Sequence, residues 1–375
     1  MNKIKFYFIL LIATIGIVSC SKSNSDEVVA ITPPREYAAQ YTAESILIEE
    51  YLKANYITVL NHPEFSDDQD VTVTKIPVGG TQPSIWSYLN STTFPKLLVR
   101  DVSAHAITYK LYYLVIREGI KGANGVGGES PSNVDAVFAA YKGTLLDGTV
   151  FDSSNNGQNQ FNLDGIKAHD GGFPVITGWS EAFPKFKTGQ ITSNMNGTPS
   201  YLNFGSGMMF IPSGLGYYNK VDPKVPAYSP LVFSVKLYAV KRFDHDIDGI
   251  PSYQEDLDGD GYLYAFAAGV TKLEDTDKDG IADFIDFDDD GDGYATQGEV
   301  KDANGKIYPY GALKDDDSTP NIDESYGIPR KYTGPLVNPS LPESATNPRT
   351  ADPSDYRDPK RLRRHLDKDS HDMSK

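Results

Sequence analysis

One cysteine in 375 residues excludes an intrachain disulfide, so burial or bound ions must hold the fold together. Histidine is also scarce. The six, at 62, 105, 169, 245, 365 and 371, have no spacing that would gather them round a transition metal. Basic residues are outnumbered, and a net charge of −16 argues against nucleic acid as a partner. What is abundant points elsewhere. With 39% hydrophobic and 11% aromatic residues the chain can bury a core, and its length allows two or three domains. The 33 glycines and 24 prolines favour strands, turns and loops over long helices.

The lone cysteine has a setting. Lys3 and Lys5 precede an apolar run over residues 6–18, followed by Ser19 and Cys20. This is the pattern of a signal peptide, with an apolar core too short to span a membrane comfortably. Ile17-Val18-Ser19-Cys20 resembles a bacterial lipobox, which implies cleavage before Cys20 and lipidation of its side chain. Buried acyl chains contribute ~0.8 kcal/mol per CH₂, so several chains anchor a protein stably. The expected location is the cell envelope, lipid-anchored to the outer membrane on its periplasmic face or at the cell surface, with residues 20–36 as the lipidated tether.

Residues 37–56 read as a helix whose apolar positions are Tyr41, Ile46, Ile48, Tyr51 and Leu52; Pro33-Pro34 bar an earlier start. The expected role of this helix is to pack on the domain behind it. Residues 71–76 alternate like a strand, and Trp86 reads as a packing anchor. No chemistry is assigned between residues 57 and 105. Residues 106–118 and 134–141 are strand-like, separated by a Gly-rich loop over 119–131.

Residues 141–154 read YKGTLLDGTVFDSS, two apolar runs flanking Asp147-Gly148, a hairpin signal. Val175-Ile176-Thr177-Gly178-Trp179, then Ile211-Pro212-Ser213-Gly214-Leu215-Gly216-Tyr217, then Leu231-Val232-Phe233-Ser234-Val235 follow in order. These four blocks resemble the FKBP-type peptidyl-prolyl cis-trans isomerases, over about residues 111–242. The resemblance implies an α+β fold, a twisted antiparallel sheet wrapped on one short helix near residues 178–186. It implies an isomerase that needs no cofactor for catalysis and acts on X-Pro bonds, here of exported or surface polypeptides.

Rotation about an X-Pro bond must break amide resonance, against a barrier of ~18–20 kcal/mol. No nucleophile or metal is needed; a dry apolar pocket favours the twisted amide over the planar, more charge-separated one. By the resemblance, Trp179 is the pocket floor. Tyr141, Phe151, Phe161, Val175, Ile176 and Phe233 are its walls, and Val225 lies in a loop over it. Tyr217 offers its hydroxyl and Ile176 its N–H to substrate carbonyls, and Asp152 holds a polar contact close to Tyr141. The chain departs from the family at Leu163, at the missing arginine in residues 155–157, in a long link over 164–174, in an insertion over about 190–207, and at Tyr218 in place of glycine.

Residues 244–299 hold fifteen Asp and three Glu against two Lys, a net of −16 that equals the charge of the whole chain. Such a density repels itself unless cations neutralise it. The spacing selects calcium, whose loops place oxygens at positions 1, 3, 5, 7, 9 and 12 with glycine at 6. Three stretches fit: Asp244, Asp246, Asp248, Ile250 through its carbonyl, Ser252 and Glu255; Asp275, Asp277, Asp279, Asp283 and Asp286; and Asp288, Asp290, Asp292, Thr296 and Glu299. A fourth begins at Asp256, Asp258 and Asp260 but has Ala267 at position 12. The pattern resembles thrombospondin type 3 repeats and implies structural calcium in a compact stalk.

Residues 301–375 read as a Pro-rich disordered tail, with the basic cluster at 361–365 a solvated end. The expected divisions are therefore 1–19, 20–36, 37–105, 106–242, 243–300 and 301–375. Two rival readings use the same residues: a chaperone or binding module that kept the fold without turnover, and a structural surface lipoprotein whose working part is the calcium segment. The oligomeric state stays open.

Overall fold

The computed structural model describes residues 33–120, 128–154, 157, 159–165, 172–193, 197, 199–220, 222–265, 273–301, 305–308, 328, 334–342, 347, 350 and 363–368. The expected signal peptide over 1–19, Cys20 and the Gly-rich stretch 121–127 lie outside these residues.

Helix α1 (Tyr37–Ala54) begins just after Pro33-Pro34 and runs directly into β1 (Asn55–Val59), which pairs antiparallel with β2 (Val71–Lys75). The buried stripe of α1 is Gln40, Glu44, Ile48 and Leu52, spaced by one helical repeat of four. Ile46, placed on the buried face by the sequence, is 57% exposed. Two polar residues hold core positions instead because the helix crosses a loop whose backbone needs partners, as the site shows below.

A single eight-stranded sheet follows: β3 (Lys96–Ala104), β4 (Ile107–Arg117), β5 (Ala136–Leu145), β6 (Val150–Ser154), β7 (Gln160–Asn162), β8 (Phe173–Pro174), β11 (Gly205–Ile211) and β12 (Leu231–Lys241). Its order is β3-β4-β11-β12-β5-β7-β8, with β6 also on β5, and every pairing but β7–β8 is antiparallel. Helix α2 (Thr177–Ala182) lies between β8 and a small hairpin of β9 (Gln190–Ser193) and β10 (Pro199–Leu202). Strand β3 carries the sheet ten residues upstream of the expected boundary at 106.

Period-two alternation sorts the sheet's two faces. Leu111, Tyr113 and Val115 of β4, Met209 and Ile211 of β11, and Phe233, Val235 and Leu237 of β12 build one core with α2. Tyr112, Leu114 and Ile116, Met208 and Phe210, and Val232 build the other against α1 and Ile85. Trp86 packs at the margin of this second core, its ring 5.8 Å from that of Tyr112.

The acidic segment docks on the sheet domain. Leu263, Ala282 and Phe284 bury with Val134. Asn133 exchanges side-chain bonds of 2.7 and 2.8 Å with the Leu263 backbone, and the Tyr262 hydroxyl donates to the Glu181 carbonyl of α2 at 2.7 Å. The basic cluster near the end is anchored too. Arg364 and His365 are buried, and the Arg364 guanidinium donates to the carbonyls of Glu299 and Lys301. Of the cluster expected as a solvated end at 361–365, the described part enters a short 3₁₀ turn, Arg364–Leu366, because the last acidic loop presents bare carbonyls that a guanidinium satisfies. From Glu36 onward the described residues form one compact unit.

Candidate active site

The hairpin β5–β6 turns through Leu145–Gly148, closed by the Gly148 N–H donating to the Leu145 carbonyl at 3.0 Å, with Gly148 at φ 89°. Its register sets Gly143 opposite Asp152 and Tyr141 opposite Ser154, which brings the Tyr141 and Asp152 side chains together on one face. The Tyr141 hydroxyl donates to Asp152 Oδ2 at 2.6 Å, while Asp152 Oδ1 accepts the Ser153 N–H at 2.8 Å. Burial, then this bond, pushes the Tyr141 phenol above its ordinary value. Gly143 leaves room for the rings beyond it: a Cβ there would meet Phe151 at 2.5 Å and Phe233 at 2.9 Å.

Ile176 precedes α2 in extended backbone and its carbonyl accepts the Trp179 N–H at 2.8 Å, starting the helix that aims the indole inward. Trp179 is 4% exposed, with four aromatic rings around it. The centroids of Tyr141, Phe161, Phe233 and Phe183 lie 5.0, 5.3, 5.2 and 5.1 Å away, all at interplanar angles of 70° or more. Such edge-to-face contacts are worth ~0.5–1.5 kcal/mol each beyond burial. Above this floor opens a cavity of about 690 Å³. All nine site residues expected from the sequence line it: Tyr141, Phe151, Asp152, Phe161, Val175, Ile176, Trp179, Tyr217 and Phe233.

Tyr217 reaches the cavity because the loop behind it is braced. Tyr218 holds φ 51°, a left-handed angle that a tyrosine resists, and its ring stacks on Tyr37 at 4.1 Å and meets Tyr228 edge-on at 5.1 Å. Stacking offsets the strain where the family has glycine. Under the same loop, Glu44 accepts the Ser213 N–H at 3.1 Å, and burial raises its pKa above 4.5 against those bonds. Burial, then the charges of Asp152 and Asp222, also raises Tyr217. The Tyr217 hydroxyl and the Ile176 N–H make no hydrogen bond among the described residues, which leaves two donors at the cavity.

Other placements differ from expectation. Val225 is buried in the core and does not line the cavity. The insertion folds into β9–β10, and Tyr201 stacks on Tyr238 at 4.6 Å. Its described residues contribute nothing to the cavity lining. Leu163 is fully buried behind the pocket. The sequence reading missed Asn159, Phe173, Pro174, Thr177, Gly216 and Lys220 on the rim. Phe173 is 58% exposed, an aromatic beside Pro174 in a polar link, and that contrast was the available signal.

The four acidic loops share one scaffold. In each, the glycine N–H at position 6 donates to the first aspartate: Gly249 to Asp244, Gly261 to Asp256, Gly280 to Asp275 and Gly293 to Asp288. The position-2 N–H donates to the position-9 side chain in three of them: His245 to Ser252, Thr276 to Asp283 and Asp289 to Thr296. Ser252, Asp283 and Thr296, expected as ligands, are therefore engaged inside their own loops. Close carboxylate groups form at Asp256, Asp258 and Asp260, at Asp275, Asp277 and Asp279, and at Asp288, Asp290 and Asp292. Near the last, Glu299 is buried with both oxygens unpartnered, and burial followed by Asp290 and Asp292 pushes it up to about 9. Glu274, absent from the sequence reading, is pushed up to about 7 by burial, then by Asp258, Asp256 and Asp260. It is the acidic neighbour that the fourth loop lacks at Ala267. These oxygen-only clusters fit calcium by donor chemistry.

Two family models match parts of the chain. Residues 127–238 match the FKBP-type peptidyl-prolyl cis-trans isomerase model, and residues 245–324 match the model described as BamM C-terminal. Residues 127–238 are an FKBP-type domain. The acidic segment thus matches a family other than the thrombospondin repeats its spacing resembles. Over 116 residues, 30% of this chain and 34% of the relative, the chain is 36% identical to the FKBP-type peptidyl-prolyl cis-trans isomerase FkpA of Escherichia coli (strain K12). It is 32% identical over 140 residues to the human peptidyl-prolyl cis-trans isomerase FKBP4, covering 37% of this chain and 26% of that one. The crystal structure of FkpA from Escherichia coli aligns at 30% identity and TM-score 0.26, over 38% of this chain and 51% of that chain. The chain therefore spans about a third of the length of the first relatives it matches. Within the FKBP-type domain, the aromatic cavity lies wholly in the matched residues.

Proposed function

We propose that the chain is a peptidyl-prolyl cis-trans isomerase acting on X-Pro bonds of exported or surface polypeptides. One observation carries the reading: nine residues from five separate stretches converge on a single cavity floored by the Trp179 indole. A proline ring entering it meets the Trp179 indole and the rings of Tyr141, Phe161 and Phe233. The amide that follows loses water, and the planar form, with more charge separation, loses most. The Tyr217 hydroxyl and the Ile176 N–H supply direction. Asp152, fixed by Tyr141, keeps a polar edge beside the rotating bond. No bond is made or broken, so preorganisation alone lowers the barrier.

The setting is proposed on the sequence: a lipid on Cys20, anchorage at the outer membrane, and structural calcium in the acidic segment. A protease-coupled assay on a proline-containing tetrapeptide tests the activity. Purified protein is expected to accelerate isomerisation, and Trp179→Leu and Asp152→Ala to reduce it. No acceleration by the wild type removes the enzyme reading in favour of the chaperone one.

A further inference from the structure

The acidic segment contains a site that no single loop builds. Asp246, Asp248 and Glu255 belong to the loop that starts at Asp244. Asp289 is the second residue of the loop that starts at Asp288, and it faces away from that loop's own cluster. One oxygen from each of the four lies within 4.8 Å of the others. All four side chains are more than nine-tenths buried, at 8%, 2%, 2% and 1% exposure. Both oxygens of Glu255, both oxygens of Asp289 and Oδ2 of Asp246 and Asp248 make no hydrogen bond. Asp244, the first ligand in the single-loop register, stands outside the group.

A solvated acidic run turns its oxygens to water. These oxygens turn inward on one another, and the leading charged influences on Glu255 and Asp289 are other carboxylates. Burying one unpaired carboxylate costs several kcal/mol, and gathering four multiplies the cost. A cation at their centre is the arrangement that offsets it. We propose that one calcium ion is held by Asp246, Asp248, Glu255 and Asp289 together, joining the first acidic loop to the third.

The chemistry selects calcium over magnesium. The donors are all oxygens, the site is buried, and Glu255 can offer both of its oxygens; magnesium keeps waters that a buried site excludes. The scaffold explains how Asp289 is aimed. Its N–H is held by Thr296 Oγ at 3.1 Å, so the side chain projects outward from its own loop. His245, the equivalent residue of the first loop, is held by Ser252 and reaches out to Asp164 at 3.2 Å. The second position thus works as an outward arm twice. One arm ties the first loop to the FKBP-type domain, and the other ties the third loop to the first through the ion.

The test is calorimetric titration of the chelator-treated full chain with calcium, and separately with magnesium, alongside thermal melts. Asp289→Asn and Glu255→Gln are each expected to abolish or weaken one calcium site by at least roughly tenfold. The double variant should lose one calcium site and not two, since both residues act on the same ion. Asp101→Asn, on β3 and outside the acidic segment, should leave calcium binding unchanged, and magnesium should not fill the site. Asp289→Asn and Glu255→Gln each remove like-charge repulsion, so each should raise the melting temperature without calcium and lower it with calcium. Unchanged stoichiometry and affinity in Asp289→Asn would overturn the proposal. So would the loss of two calcium sites in the double variant, or a lower melting temperature in both conditions, which marks a merely structural role. Either single substitution decides the matter should the other fail to fold. The outcome is independent of isomerase activity.

Discussion

The Tyr262 hydroxyl donates to the backbone carbonyl of Glu181, two residues past the indole that floors the cavity. The acidic segment thereby touches the helix that aims Trp179. Arg100 completes the junction, with its guanidinium 3.1 Å from the Tyr262 ring centre and its Nε 2.8 Å from Glu181 Oε2.

Tyr262→Phe is therefore expected to cost about 1 kcal/mol, the worth of one buried hydrogen bond. A denaturant midpoint that falls at unchanged slope checks it. A shift in Trp179 fluorescence should accompany the change.

Trp179→Leu should lower the isomerase rate by at least about tenfold, since losing ~1.4 kcal/mol of transition-state stabilisation has that effect. The measurement is kcat/KM in the tetrapeptide assay. Tyr141→Phe should cost less, because it removes the bond to Asp152 and leaves the aromatic wall.

Gly143→Ala places a methyl within 2.5 Å of the Phe151 ring and 2.9 Å of the Phe233 ring. Overpacking of this kind costs ~1–3 kcal/mol. A melting temperature equal to wild type would show that the two rings have more freedom than their packing implies.

Glu44 gives a pH signature. Its folded pKa is raised above 4.5 chiefly by burial. The protonated form favours folding, so this contribution is full below about 4.5 and is lost as pH rises through the raised folded value. Glu44→Gln should flatten that decline. The stability difference between the two proteins, followed upward from pH 4, should shift in favour of the glutamine variant.

Chelation should lower the melting temperature of the wild type. A site held at free calcium one hundred times its Kd contributes about 2.7 kcal/mol. An unchanged melt with EDTA would remove structural calcium from the account.

Much of the cavity was legible because its signals are short. Tyr141 and Asp152 are placed by one hairpin, and Ile176 and Trp179 by one helix start, so a few neighbouring residues fix each pair. The acidic loops were legible for the same reason, since a glycine N–H bonds an aspartate only five residues away. Where the reading failed, the partner was remote. Ile46 fits an apolar pattern, yet Glu44 takes the buried position because Ser213 presents an N–H from the other side. Val225 fits a loop over the pocket, yet the core closes on it.

The sequence by itself determined the local units: alternating strands, the Asp147-Gly148 hairpin, the helix start at Ile176, and the repeating aspartates with their glycine. Each depends on backbone angles and hydrogen bonds within a dozen residues. Only the tertiary structure decided that Asp289 leaves its own loop for Glu255, that Arg364 closes the last loop, and that Tyr37 steadies the backbone at Tyr218. These contacts join distant stretches. Sheet register and the docking of whole segments set them, and no local spacing records either.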